Sequence, residues 1–464
     1  MAGITIPQTT DVGPISRARA SLAALETLDR LRQAEHVSPV PEDLETLRGW
    51  SGWGPLAPAL DRSRTGTWQE IGERIAFLLP DDHYNDGVQA TYNAFYTPPQ
   101  ITSACWQILT DLGFSGGKIL EPGCGAGAFI AGTPDETPTM WVGVERDPTT
   151  AAIARLLHPN ATIHAQRLEE TSLPSYGMDA VLGNVPFGDT KLYDPTTPRE
   201  LTANLHNYFI YRSVKALRPG GVAVLVTSRY TMDAAGSTGQ LARALIAHEA
   251  DLLGAMRLPN DALTSGGTEP LVDLMVLRRR RAGEKPLPGH DQWITTGPSV
   301  GGQQVNNYFL SNPNMVLGEL AEDRAPRWGR TLRVDARPDG PPVELAIAAA
   351  GSEIVRRATE AGRRWNVDVG AAPITAETAP FKLRADGKKE GAFHLVDGVV
   401  HEVVEGSLVA VDRPGKELPK LVALRDAALA LLDAEADHSR ADEELAPLRV
   451  EAARLYDAYV KTHG

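Results

Sequence analysis

Cysteine is nearly absent from the 464-residue chain, which carries only Cys105 and Cys124. Two cysteines cannot build a disulfide framework, nor by themselves a four-ligand zinc site, and no metal centre is assigned. Long apolar runs are lacking too. No stretch approaches the roughly 18 uninterrupted apolar residues that a membrane span requires. The N-terminal "MAGITIPQTTDVGPISRARA" has no apolar core ahead of a cleavage site. A reducing, cytoplasmic location without a membrane partner is therefore expected. Basic charge is in deficit: 46 Lys and Arg against 59 Asp and Glu leave a net −13. That argues against a uniformly basic nucleic-acid coat. A local basic cleft can still hold nucleic acid, because the field that matters is local. Hydrophobic residues at 42% and charged residues at 23% are near the globular norm, so the chain can bury a core.

The periodicity changes along the chain. "ISRARASLAALETLDRLRQAEH" and "SPVPEDLETLRGW" place apolar residues at helical spacing. Helical patterns continue through "TWQEIGERIAFLLPDD" and up to "CWQILTDLGF". From Lys118 short β-type runs alternate with helices: "KILEPG", "MWVGVE", "ATIHA", "MDAVLGN", "GGVAVLVTS", "ADLLGAMRLP" and "PLVDLMVLRR". Such alternation predicts an α/β fold with a mostly parallel sheet and helices on both faces. "NDALTSGGTE" leaves no room for a helix between the last two runs. A seven-stranded doubly wound sheet with its last strand antiparallel follows. The expected organisation is an N-terminal helical region over 1–90, an α/β domain over 91–282 and a linker over 283–305. A small α+β extension over 306–417 and a helical hairpin over 418–464 complete it.

Two motifs carry chemistry. The first, "ILEPGCGAGAF", follows a predicted strand and precedes a helix. Gly123, Gly125 and Gly127 allow a tight turn and a close ligand approach. The spacing is G-x-G-x-G rather than the dinucleotide fingerprint, which favours an adenosine-type ligand without pyrophosphate. Glu121, at the strand's end, can face a cationic group. Glu145, roughly 20 residues on, ends the next strand, where a carboxylate accepts ribose hydroxyls. Glycines alone could serve only as turn residues; the two acids favour a nucleoside cofactor, with Pro122 and Phe129 framing the loop.

The second motif, Asn184-Val185-Pro186-Phe187, lies past the carboxyl end of the fourth strand, where open parallel sheets bind ligands. The Asn184 side-chain oxygen and the Val185 carbonyl are two acceptors. Pro186 holds the residue before it extended. Phe187 offers a flat face. Two acceptors beside an aromatic ring fit a planar amino group such as that of adenine. They would draw its nitrogen towards tetrahedral geometry for attack on a sulfonium methyl. A duplex base reaches such a pocket only by leaving the stack.

Together these residues resemble the gamma-class N6-adenine DNA methyltransferases, in particular the methylase portion of the large methylase–helicase proteins of phages and mobile elements. The shared segments are "SGWGPL", "NAFYTPPQI", "EPGCGAG", "GNVPFGD", "LHNYFIYRSVKALRPGG", "VTSRYTMD", "AMRLPNDAL" and "GGTE". The resemblance implies a class I methyltransferase-like (Rossmann-like) domain that uses S-adenosylmethionine and acts on a flipped adenine in duplex DNA. A helicase domain or separate helicase chain is the implied partner. It adds Tyr96, Thr97 and Pro98 to the cofactor site. It also places an adenine contact after the third strand, for which Glu169 is the first choice and Gln166 the second. Val185 stands where the family usually has proline. No G-x-x-x-x-G-K-S/T loop occurs, so the chain is expected to carry no ATPase motor of its own. Two other readings stay open: amino-methylation of RNA or a protein glutamine, and a non-catalytic methylase-like module that grips DNA for a helicase.

Other conspicuous residues have plainer readings. Asn207, Tyr208 and Phe209 read as core and helix-face residues. Trp50 and Trp53 read as packing groups. Arg278 to Arg281 read as a solvated strand end, with phosphate contact the alternative. Cys124 is a small residue in the cofactor loop, and His206 has no companion ligands.

Overall fold

The computed structural model describes residues 13–34, 38–61, 63–91, 97–188, 190–194, 196–266, 270–325, 329–367, 383–384, 388–389, 391–396, 398–404, 407–411, 413–436 and 442–463. It divides into two compact units. One comprises Met1–Asp189 and Thr196–Thr378; the other comprises Thr190–Pro195 and Ala379–Gly464.

The larger unit is built on seven strands: β1 (Gly117–Pro122), β2 (Thr139–Glu145), β3 (Thr162–Ala165), β4 (Met178–Asn184), β5 (Leu217–Ser228), β6 (Ala250–Arg257) and β7 (Val272–Arg279). Their order in the sheet is β3-β2-β1-β4-β5-β7-β6. The ladders joining β3 to β2, β2 to β1, β1 to β4 and β4 to β5 are parallel. β7 runs antiparallel to both β5 and β6. The expected doubly wound sheet with a reversed last strand is therefore present, with each of the seven runs on a strand. β4 and β7 are buried along nearly their whole length on both faces, as strands covered on two sides are.

The chain leaves β1 towards β2 and β3, then returns to lay β4 on the other side of β1. This reversal opens a crevice at the carboxyl ends of β1 and β4, the place where both motifs fall. Helices Pro148–Leu157, Leu205–Ala216 and Ser237–Glu249 provide crossovers. A short 3-10 helix, Asn260–Gly266, separates β6 from β7, as the missing helical pattern there predicts.

The N-terminal helices share a core with the crossover after β2. Leu25, Leu28, Leu47, Trp50, Trp53, Ile71 and Ile75 cluster with Ile153 of helix Pro148–Leu157. After β7 the chain forms two antiparallel pairs, Thr296–Pro298 with Gln304–Asn306 and Glu319–Ala325 with Gly329–Asp335. Helix Val343–Glu360 then packs on helix Pro99–Asp111 and on β6, with Gly351 against Ile108 and Gly254 against Ile354.

The smaller unit holds a four-stranded antiparallel sheet, in the order Leu383–Arg384, Ser407–Ala410, Val399–Val404, Phe393–Val396. Two helices, Leu418–Ala436 and Asp442–His463, pack on each other. Tyr459 donates to Glu417 at 2.6 Å across them.

Candidate functional site

The glycine turn follows directly from β1. Gly123, Gly125 and Gly127 all have positive φ, at 68°, 53° and 86°, a region that side-chain-bearing residues adopt at a cost. Two hydrogen bonds anchor the turn: Cys124 N donates to the Val144 carbonyl at 2.8 Å, and Gly127 N to that of Cys124 at 2.8 Å. Cys124 is buried and its thiol free. The space where a Cβ on Gly125 would stand is open for 4 Å around. A ligand can therefore lie against bare backbone there.

Two carboxylates face this turn. Glu121 is 2% exposed. Its Oε1 accepts from Phe129 N at 3.4 Å, while the buried Oε2 has no donor. Burial pushes its carboxyl well above the usual range. Glu145, at the end of β2, accepts from Gly125 N at 2.9 Å through Oε2 and from Asp147 N at 2.8 Å through Oε1. Burial, with the Asp147 charge adding to it, pushes its carboxyl up to about 7. An unmet buried carboxylate oxygen costs free energy until a donor arrives. The residues therefore fit a ligand carrying a cationic amino group and vicinal hydroxyls.

Glu145 is itself positioned by the N-terminal helices. Trp53, 1% exposed, donates its indole N–H to Asp147 Oδ2 at 2.8 Å. The neighbouring Trp50 donates to Thr150 Oγ1 at 3.2 Å and meets Trp53 edge-on at 5.2 Å. A Cβ at Gly87 would stand 2.8 Å from the Trp53 ring, so glycine lets helix Asp81–Ala90 lie close against the indole. The tryptophans pack, as read from sequence. Their link to the cofactor strand, across 94 residues for Trp53 and Asp147, has no signal in spacing or composition.

Asn184 ends β4 in register with Val226 of β5. Val185, 1% exposed, donates its N–H to the Val226 carbonyl at 3.0 Å, so the ladder continues into the motif. Asn184 Nδ2 donates to Thr97 Oγ1 at 3.0 Å. Thr97 and Pro98 are buried, and Pro99 opens helix Pro99–Asp111. Tyr96 lies outside the described residues. A Cβ on Gly123 would stand 3.5 Å from Pro186 Cδ and 3.4 Å from Phe209 Cε1. The glycine turn, the asparagine motif and the threonine of the upstream segment thus meet in one crevice. Phe187 is buried, and Leu205 N donates to the Gly188 carbonyl just after it at 3.3 Å.

The residues after β3 separate. Glu169 is 1% exposed, with Arg167 4.0 Å away, whereas Gln166 is exposed. Asn207, Tyr208 and Phe209 are buried, and Phe209 also touches the turn. The two ring nitrogens of His206 are buried without hydrogen-bond partners, and burial lowers its pKa to about 4. Among the described residues no group of His, Cys, Asp or Glu could hold a metal ion.

The arginine run after β7 is not a solvated end. Arg278 pairs with Glu284 at 2.7 Å, Arg279 with Glu249 at 3.0 Å and Arg280 with Asp251 at 2.9 Å, and Arg281 donates to the Asn366 carbonyl. Because β7 is reversed, this run sits on the rim opposite Asn184.

The strand order, the reversed seventh strand and the glycine–acid crevice define a class I methyltransferase. Residues 82–287 match the family model described as N-6 DNA Methylase, and with this fold the match implies S-adenosylmethionine as the cofactor. The chain is 26% identical over 344 residues to the defense against restriction protein B of Escherichia phage P1, covering 72% of this chain and 14% of that protein. It thus spans about one seventh of that relative's length. Among solved structures it is similar to a protein from Listeria monocytogenes proposed to be a class I S-adenosylmethionine-dependent methyltransferase (TM-score 0.38, 16% identity, 59% of this chain and 90% of that one). It is also similar to the modification subunit of a proposed type I restriction enzyme from Vibrio vulnificus (TM-score 0.36, 15% identity, 64% and 91%). The fold assignment comes from strand order and direction and is independent of these likenesses. No described helix is long and apolar enough to cross a membrane.

Proposed function

We propose that the chain methylates the N6 amino group of adenine in DNA, with the base turned out of the duplex into the crevice beside Asn184. The observation that carries this reading is the meeting of Thr97, Asn184, Pro186 and the glycine turn at one point of the sheet's rim. S-adenosylmethionine supplies, when bound, an electrophilic methyl on sulfonium. Glu121 Oε2 receives a cationic amino group, and Glu145 receives two hydroxyls. Gly125 leaves room for the ligand's body. The bond from Asn184 Nδ2 to Thr97 makes Oδ1 the accepting end of the amide. Asn184 Oδ1 and the Val185 carbonyl then take the two N–H protons of the target amino group. Phe187 stacks on the purine. Glu169, buried beyond β3, contacts the base edge. Holding both partners in line can supply about 7–11 kcal/mol in favourable cases.

Asn184→Ala should abolish transfer to duplex DNA while labelled cofactor still binds. Thr97→Val, which removes only the orienting hydroxyl, should lower kcat without changing cofactor affinity. Wild-type turnover in Asn184→Ala overturns the pocket. Methyl incorporation into RNA or protein in place of DNA overturns the substrate. The sequence resemblance also assigns a helicase as partner, which co-purification from an expressing host tests.

A further inference from the structure

The crossover helix Leu205–Ala216 starts at the rim that carries Asn184 and runs back to the beginning of β5. Its first residue is tied to the end of the asparagine motif, because Leu205 N donates to the Gly188 carbonyl. Helical spacing sets His206, Phe209, Ile210 and Ser213 on one stripe. All four are buried, whereas Tyr211 and Lys215 on the opposite side are only half-buried. The stripe therefore faces the sheet, and the helix packs on β5 and β1.

Phe209 gives the depth of this stripe in the crevice. Its ring and Pro186 Cδ both close on the point where a Gly123 Cβ would stand. His206 lies three residues nearer the helix start, about 4.5 Å closer to the rim. Side chains on a helix lean towards its N-terminus, which here is the rim. The imidazole thus projects from Phe209 towards the stretch where Asn184 to Phe187 leaves the sheet.

His206 is 3% exposed, and neither ring nitrogen has a hydrogen-bond partner among the described residues. Burial disfavours its cation, so the ring is neutral and carries one donor and one acceptor. A buried donor left unmet costs free energy, and such groups in native folds call for an explanation. Metal ligation does not provide one, since no described group of His, Cys, Asp or Glu could hold an ion.

We propose that His206 contacts the extruded base, its ring N–H donating to a purine ring nitrogen beside the amino group that Asn184 and Val185 hold. The two N–H protons of that amino group are already taken by the two acceptors. Adenine N1 and N7 flank it, and both accept. A donor at either place fixes the rotation of the purine about its amino group. It also disfavours a base that presents an N–H there, because a site built to hydrogen-bond one group rejects the analogue without it. The inference rests on the DNA reading given above and adds a third polar contact to the same pocket.

The test uses the full chain, labelled S-adenosylmethionine and a duplex whose methylated adenine has been mapped. That adenine is replaced by 1-deazaadenine or by 7-deazaadenine, each of which keeps the amino group and loses one acceptor. The wild type should lose about tenfold in kcat/KM on one of the two, the upper range for one neutral hydrogen bond. His206→Leu should show no selective loss on that analogue, and His206→Gln, which keeps an N–H donor, should retain part of it. A change in the reactivity of the amino group affects every variant alike and cancels in this comparison. Cofactor affinity measured by calorimetry should match the wild type in both variants. Equal losses in the wild type and His206→Leu, or no loss on either analogue in the wild type, overturn the inference alone. Absence of transfer to any adenine duplex by the wild type, with transfer to RNA or protein instead, overturns the reading on which it stands.

Discussion

At the residue scale the site is governed by carboxylates taken out of water. Glu145 ordinarily titrates near 4.5 and is pushed up to about 7 by burial and by Asp147. Its protonated form is favoured in the ligand-free fold, so this group's contribution to stability is full below about pH 4.5 and is lost as pH rises through about 7. Hydroxyl donors from a bound cofactor favour the ionised form. Cofactor affinity should therefore rise with pH up to about 7, by at most tenfold per unit, and level off above it. Glu145→Gln should flatten that profile; calorimetric titration at pH 6, 7 and 8 checks both. The residue types of this site were legible in the sequence, because a glycine turn between two strand-end acids leaves a local pattern. The bond from Asn184 to Thr97 was not legible, since it joins side chains 87 positions apart and depends on the fold to bring them together.

At the element scale, the N-terminal helices take part in the cofactor site. Trp53 reaches Asp147, Asp147 N–H reaches Glu145, and Glu145 reaches the glycine turn. Trp53→Phe keeps the ring and removes the N–H. Asp147 Oδ2 keeps the Thr150 N–H as donor, so the loss is that of one hydrogen bond to a charged group, about 1.5–3 kcal/mol of stability, and cofactor binding should weaken. Thermal unfolding and cofactor titration report the two effects separately. Cofactor binding as in the wild type would leave Trp53 a packing group only. The helices themselves announced their period in the sequence, and so did the seven strands. The hairpin over 319–335 did not. Its sequence mixes acids, arginines and small residues, so no clean alternation marks it. The arginines after β7 misled for a related reason: a charge run looks solvated unless its partners, here Glu249, Asp251 and Glu284, are known.

At the scale of the whole molecule, the sheet divides its labour by rim. The carboxyl rim carries the glycine turn and Asn184, and the opposite rim carries paired arginines. The sheet's order has a consequence for synthesis. β7 is the last core strand to leave the ribosome, yet it lies between β5 and β6. Until it emerges, β5 presents an open edge and β6 has no neighbour in the ladder. Unpaired apolar edges invite wrong association. A nascent chain should therefore need a holding chaperone through this interval, and a product ended at residue 271 should sediment as aggregate where the full chain stays in the supernatant. Translation that stalls just short of the seventh strand would strand the protein in its stickiest form.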